Sequence, residues 1–316
     1  MVLARSLLLV GPRRLRWNET ELADPEPDEI VVRTRAGAIS IGSELPVYRG
    51  DARRSTAITY PRMSGYESLG IVVACGEGVR RLQAGDRVLA FYGHRTAAVV
   101  PESRAIAVPD AAPDALALLA ILSCDAAKGV QKLRPWLDEP VLITGFGVMG
   151  ALTLFVLRAL GSAAVDVIEP RPERRVLASR LGARVALAPD ELPRGEPAQY
   201  AAGFECSSRD SALALLQERL RPGGRICILA DGNIEPLTLT PAFHEKELLI
   251  AGSSDGWDYH RHAAWFFERV LRAPSRLEEL FDFETSADGL AATFEQLAAG
   301  AISPLKVLVR YQPPAV

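Results

Sequence analysis

The chain has 316 residues, 48% hydrophobic and 24% charged, with a net charge of −3 at neutral pH. That length accommodates two ordinary domains, each with its own core. The charge balance lacks the surplus of lysine and arginine that a nucleic-acid surface needs, so no DNA or RNA partner is expected. No segment approaches the roughly eighteen uninterrupted apolar residues of a membrane span, and the expected setting is the cytoplasm, with a small-molecule substrate.

In chain order, Ser6 to Val10 is too short to span a membrane and runs into Gly11-Pro12-Arg13-Arg14, not into a small-residue cleavage site, so it is read as a first strand. Up to about residue 110, short β-like runs such as 29–34 and 70–74 are punctuated by Gly, Pro and Asp, the pattern of a β-rich, barrel-like domain. From about residue 113 an Ala/Leu-rich helical stretch appears, and then apolar strands alternate with amphipathic helices, which predicts a parallel sheet. The expected strands are 141–144, 164–168, 203–205, 225–229 and 248–251. Helices are expected at 151–160, at 174–181 before Gly182, and at 211–220, where Pro222-Gly223-Gly224 is read as the stop. A long helix at 259–271 and a strand at 307–309 complete the pattern.

Four cysteines, Cys75, Cys124, Cys206 and Cys227, are widely spaced and form no C-x-x-C pair. They are read as buried structural thiols in a reducing compartment, with neither a disulfide framework nor a zinc ribbon.

The most informative motif is Gly145-Phe146-Gly147-Val148-Met149-Gly150, between an apolar run and a helical one. A lone G-x-G-x-x-G is weak, but here each glycine has a physical task. The first permits a tight turn, the second lets backbone N–H groups approach a pyrophosphate, and the third lets helix and strand pack closely. The helix N-terminus adds partial positive charge. Glu169, nineteen residues after Gly150, stands where such folds place the acid that accepts hydrogen bonds from the adenosine ribose. The expected cofactor-binding residues are Gly145, Gly147, Val148, Met149, Gly150, Glu169 and Arg171. A carboxylate at 169 repels a 2′-phosphate and favours NAD, while Arg171, Arg174 and Arg175 leave NADP open.

Several segments in order, Gly65-Tyr66-Glu67-Ser68-Leu69-Gly70, Gly76-Glu77-Gly78-Val79, Gly85-Asp86-Arg87-Val88, the glycine turn, Phe204-Glu205-Cys206, Pro222-Gly223-Gly224 and Leu305-Lys306-Val307, resemble the medium-chain dehydrogenase/reductase superfamily. The resemblance covers nearly the whole chain. It implies an α/β protein with a GroES-like β-rich catalytic domain over 1–124, completed by 256–316, and a Rossmann-fold NAD(P)-binding domain over 125–255. It also implies an active site where nicotinamide meets substrate, and a homodimer in which the 248–251 run is a candidate intersubunit edge strand.

Zinc-dependent members place metal ligands at a Cys-Gly-Ser/Thr-Asp stretch, at the His of Gly-His-Glu, and a little before the Rossmann domain. This chain has Ile41-Gly42-Ser43-Glu44 and Gly65-Tyr66-Glu67. Only Cys124 falls near a ligand position, and the segment from Ala90 to Pro109 holds no cysteine for a structural zinc. No metal is expected.

Without zinc, side-chain donors must serve the substrate oxygen. By resemblance, Ser43 takes the hydroxyl position of the family's proton relay, and Tyr66 stands at the lost histidine, where it serves as acid or base. Lys128, near the nicotinamide ribose by resemblance, is the candidate cation for lowering the Tyr66 pKa from its ordinary value of about 10. Glu67 is read as a structural hydrogen-bonding residue, and His94, in a Gly-His-Arg-Thr loop, as a surface residue, with a place in the cleft lining as the alternative. The segments 38–45, 48–50 and 65–68 look most like the bacteriochlorophyllide a dehydrogenase-like branch, whose members oxidise a secondary alcohol with NAD, some in specialised metabolism. The expected activity is therefore interconversion of a secondary alcohol and a ketone. Reduction of an activated C=C bond, or dinucleotide binding without catalysis, remain the competing readings.

Overall fold

The computed structural model describes residues 2–51, 57–135, 138–192, 199–230, 235–273 and 275–312. The chain divides into two compact units, one made of 1–120, 263–272 and 278–316, the other of 121–262 and 273–277.

The first unit is built on β-structure. Its strands are β1 (Val2–Gly11), β2 (Arg14–Leu22), β3 (Glu29–Ile39), β4 (Arg62–Met63), β5 (Glu67–Cys75), β6 (Arg87–Ala90), β7 (Ala97–Pro101) and β8 (Ile106–Ala107), joined near the C-terminus by two more given below; α1 (Ile41–Arg49) follows β3. β1 lies between β2 and β4 in a three-stranded sheet. β3 is the hub of the larger sheet, paired antiparallel with both β5 and β7. Its residues Ile30, Val32, Ala36, Ala38 and Ile39 are fully buried, and each large apolar side chain so placed contributes about 1.5–3 kcal/mol. α1 packs Leu45, Val47 and Tyr48 into a cluster with Leu7, Ile39 and Phe294.

The second unit holds most of α2 (Asp114–Leu133), then β9 (Val141–Thr144), α3 (Val148–Ala159), β10 (Val165–Ile168), α4 (Pro172–Arg180), β11 (Val185–Leu187), β12 (Tyr200–Glu205), α5 (Asp210–Arg219), β13 (Leu220–Ile228), α6 (Pro241–Glu245) and β14 (Leu249–Gly252). The strand order β11-β10-β9-β12-β13-β14 is parallel throughout, the doubly wound Rossmann arrangement. β9, β10 and β12 are buried along their whole length, which is why they read in the sequence as short continuous apolar runs. Pro222-Gly223-Gly224 does not separate helix from strand as expected. It lies within β13, where a register irregularity between the Tyr200 and Ala202 pairings with Leu220 and Arg225 absorbs it.

α7 (Tyr259–Arg272) spans the expected long helix, and β15 (Phe281–Ser286), α8 (Leu290–Ala299) and β16 (Lys306–Arg310) follow. β16 pairs antiparallel with β3 and parallel with β15, so the last strand of the chain completes the sheet that its third strand began. Among the described residues no helix is long and apolar enough to cross a membrane. The cysteines are all free, but only Cys124 and Cys227 are buried; Cys75, at the end of β5, is exposed, contrary to the reading of all four as buried.

Candidate active site

Ser43 and Tyr66 come together. Ser43 is in the first turn of α1, and Tyr66 directly precedes β5; their hydroxyl oxygens lie 3.2 Å apart. Gly65 makes this possible. Its φ is +77°, and a Cβ there would stand 2.7 Å from the His94 imidazole, so a side chain is excluded on both conformational and steric grounds. Ser43 and Tyr66 both line a pocket of about 100 Å³, together with Glu44 and the apolar Leu9, Leu15 and Val47.

The Tyr66 phenol is held well above its ordinary pKa, first by burial, then by the negative charge of Glu67; its contacts with Ser40 and Ser43 work the other way. It stays protonated at neutral pH and can act as a donor. Lys128 belongs to the second unit, where its Nζ donates to the Asp255 carbonyl at 2.8 Å.

From the sequence Glu67 had a structural hydrogen-bonding role, while Glu44, His94 and Lys306 had no assigned part in the chemistry. Glu44 Oε1 accepts the Ser40 backbone N–H at 2.7 Å, and its Oε2 lies 3.2 Å from His94 Nε2. His94 is 1% exposed, which corrects its reading as a surface residue: the loop that carries it is pinned by backbone bonds to Leu7 and Ser64. Beneath Tyr66, Glu67 accepts from Ser40 Oγ and, at 2.7 Å, from Lys306 Nζ. Ser40, Glu44, Glu67 and Lys306 all lie in segments that carry the family resemblance, but nothing local in the sequence paired Glu67 with Lys306.

Ile41 is a hydrocarbon and Tyr66 a protonated phenol at the positions where the resemblance puts thiolate and imidazole. Among the described residues no three His, Cys, Asp or Glu side chains gather as a metal site.

In the second unit, the turn after β9 fits a dinucleotide. Gly145 adopts φ +85°, and a Cβ on Gly150 would stand 2.1 Å from the Gly145 carbonyl oxygen, so helix α3 packs on the turn at a distance only glycine allows. A Cβ on Gly147 would meet nothing within 4 Å, leaving open space at the start of α3, where Val148 and Met149 form the first turn. Glu169, at the end of β10 and 4% exposed, accepts the Phe146 N–H at 2.7 Å through Oε2 and the Arg171 N–H at 3.0 Å through Oε1. It ties the glycine turn to the start of α4, and a carboxylate retains acceptor capacity beyond two bonds. Arg175 donates to the carbonyls of Glu169 and Pro170 at 3.0 and 2.8 Å.

A GroES-like β unit together with a parallel sheet carrying this turn defines a two-unit oxidoreductase of the nicotinamide-dependent class. Residues 26–110 match the alcohol dehydrogenase GroES-like domain family. The chain is 30% identical over 268 residues to 2-desacetyl-2-hydroxyethyl bacteriochlorophyllide A dehydrogenase of Cereibacter sphaeroides, covering 78% of this chain and 80% of that one. It therefore belongs to the medium-chain dehydrogenase/reductase superfamily, the family of the zinc-type alcohol dehydrogenases. The fold is shared with a zinc-binding-type dehydrogenase of Sinorhizobium meliloti bound to NADP (20% identity, TM-score 0.84, 98% of this chain and 100% of that one). It is shared also with the alcohol dehydrogenase RspB of Escherichia coli in complex with NADH (22% identity, TM-score 0.82, 98% and 99%).

Proposed function

We propose that this protein interconverts a secondary alcohol and a ketone with a nicotinamide cofactor, NAD in preference to NADP, and without a metal. The observation that carries the reading is the pair of hydroxyls, Ser43 and Tyr66, 3.2 Å apart in a pocket where the metal ligands of the family are replaced. Bound nicotinamide supplies the hydride acceptor or donor. The chain's own residues then handle the oxygen. In reduction, the carbonyl oxygen gains negative charge as its carbon gains hydride, and Tyr66, protonated, donates to it while Ser43 holds the phenol from the side. In oxidation the C–H bond breaks with its electron pair and the hydroxyl proton leaves along the same hydroxyls. The relative at 30% identity carries a hydroxyethyl group in its substrate's name, a secondary alcohol, which supports the substrate class.

Gly145, Gly147, Gly150 and the first turn of α3 would hold the pyrophosphate, and Glu169 the adenosine ribose; its carboxylate supports the preference for NAD by repelling a 2′-phosphate. A homodimer is proposed through β14, the last strand of its sheet, whose Leu249 is 66% exposed. The test is a fluorescence titration with NADH and NADPH, followed by a turnover screen of secondary alcohols, ketones and enones with and without chelator. Turnover of secondary alcohols or ketones that survives chelation is expected. Activity abolished by chelator overturns the metal-free reading, turnover of enones alone overturns the alcohol reading, and cofactor binding without any turnover overturns catalysis.

A further inference from the structure

Strand β4 sets a charged side chain beside apolar ones. Leu9 of β1 pairs with Leu15 of β2 on one side and with Arg62 of β4 on the other. Residues directly opposite each other in antiparallel strands stand on the same face of the sheet, so Leu15, Leu9 and Arg62 form one row across it. Leu9 is buried in the cluster that holds Leu45, Val47 and Tyr48 of α1, and Leu15 packs against the same cluster. The row therefore faces α1, the helix that carries Ser43.

The same row lines the pocket of Ser43 and Tyr66, with Val47 among its apolar neighbours. Two charged side chains line that pocket, Glu44 and Arg62, and they differ in what holds them. Glu44 accepts the Ser40 N–H through Oε1 and meets His94 through Oε2. Arg62 is half-buried, and among the described residues its guanidinium has neither a hydrogen-bond nor an ion-pair partner. By contrast Arg13, in the turn before β2, pairs with Glu295, and Arg49, at the end of α1, donates to the Ala298 carbonyl at 2.9 Å. A guanidinium carries five N–H donors in a planar fork that matches a carboxylate, and it keeps its charge at any working pH. Beside Leu9, Leu15 and Val47 its field is less screened than at an open surface. An anion reaching Arg62 there is held more firmly than by an exposed arginine.

We infer that Arg62 is a specificity-determining residue that binds a carboxylate of the substrate, so that the secondary alcohol is a hydroxy acid and the ketone a keto acid. The inference rests on the reading of this pocket as the site of alcohol–ketone interconversion, and it narrows the substrate class. Arg62 takes the carboxylate, the apolar wall takes the carbons between, and Ser43 and Tyr66 meet the oxygen that changes oxidation state. The carboxylate itself is unchanged: hydride passes between the carbinol carbon and the nicotinamide, and the hydroxyl proton leaves along the two hydroxyls. Glu44 selects among anions. Its carboxylate lines the same pocket and opposes a second negative charge, which favours a carboxylate over a phosphate monoester with nearly two.

The test uses lactate, β-hydroxybutyrate and γ-hydroxyvalerate, secondary alcohols that differ in the distance from hydroxyl to carboxylate, each beside its methyl ester, together with glycerol phosphate. Turnover with NAD gives kcat/KM, and calorimetry in the presence of NADH gives binding without reaction. At least one acid is expected to exceed its ester in both by about ten- to hundredfold, the range of a hydrogen-bonded contact to a charged group. Arg62→Met, which keeps the aliphatic reach and removes the charge, should erase that ratio, and Arg62→Lys should retain part of it. A merely structural arginine would lower acid and ester together, in step with the melting temperature, and leave the ratio unmoved.

Acid and ester treated alike by the parent, or a ratio that survives in Arg62→Met, overturns the inference. A preference for glycerol phosphate that Arg62→Met removes overturns the carboxylate in favour of a phosphate. Acids that bind through Arg62 without any turnover leave the carboxylate site standing and sink the proposed activity; turnover of neutral alcohols with no ratio dependent on Arg62 does the reverse.

Discussion

Gly147 and Gly150 stand three residues apart in one turn, and the structure predicts opposite outcomes for the same substitution. At Gly147, φ −82° and ψ −166° suit any residue, and an added Cβ meets nothing within 4 Å. Stiffening the unfolded chain stabilises by about 0.4–1 kcal/mol. Alanine is also a poorer N-cap than glycine, by about 0.5–1 kcal/mol, so the two terms nearly cancel and Gly147→Ala should melt like the parent. Its methyl nevertheless fills the space through which backbone approaches a pyrophosphate, and a tenfold to hundredfold weaker NADH affinity, about 1.4–2.8 kcal/mol, is expected. At Gly150 the added Cβ lies 2.1 Å from the Gly145 carbonyl oxygen. Turn and helix must part, at a cost of about 1–3 kcal/mol. Thermal melts with and without NADH separate the effects. At a hundred times the parent's Kd, NADH adds about 2.7 kcal/mol to the parent and about 1.4 kcal/mol to a variant binding tenfold more weakly. Parent-like NADH affinity in Gly147→Ala, or parent-like melting in Gly150→Ala, would refute the assignment of this turn.

Tyr66→Phe should lower kcat by about 10²–10³, as loss of one donor to a developing oxyanion does, with little change in Kd for NADH; an unchanged kcat removes Tyr66 from the chemistry. Glu169→Ala should weaken NAD binding relative to NADP and also lower the melting temperature, because the Phe146 and Arg171 N–H groups lose their acceptor; titration with both cofactors and a melt decide it. His262, whose Nε2 lies 2.9 Å from Ser123 Oγ, has its pKa lowered by burial to about 4. The unfolded chain binds this proton first, so stability is full above about pH 6.5 and falls as pH drops towards 4, by about 3 kcal/mol in all. Denaturant melts of His262→Gln should show a flatter profile over that window, and an unchanged slope would remove His262 as its source.

The parallel sheet was the most legible part of the fold. β9, β10 and β12 bury every residue, and continuous apolar runs broken by glycine turns leave few alternatives. β2 is the counterexample: only Leu15 and Trp17 pack against the core, and Asn18, Glu19, Thr20 and Glu21 carry the alternation no further, since its second half is a largely exposed strand held by pairing with β1. α1 was hidden by its length and by Pro46 inside it, although it carries Ser43. At the site, Ser43 and Tyr66 were legible because they stand where relatives keep ligands or hydroxyls. The Glu44–His94 contact bridges fifty residues and the Glu67–Lys306 pair 239; pairing over such separations is decided by sheet register, which no local window contains.

That register also orders events in time. β16 enters the first unit between β15 and β3, so during synthesis the early strands must wait for nearly the whole chain, while the second unit, almost continuous in sequence, has all its strands once residue 252 has emerged. Domains generally fold as units while the chain is being made, and contacts between distant residues form slowly. The nascent protein therefore has a stage with a complete dinucleotide-type sheet and an unfinished β unit, in which Glu67 still lacks Lys306. That ion pair, and with it the environment of Tyr66, is among the last features the molecule acquires.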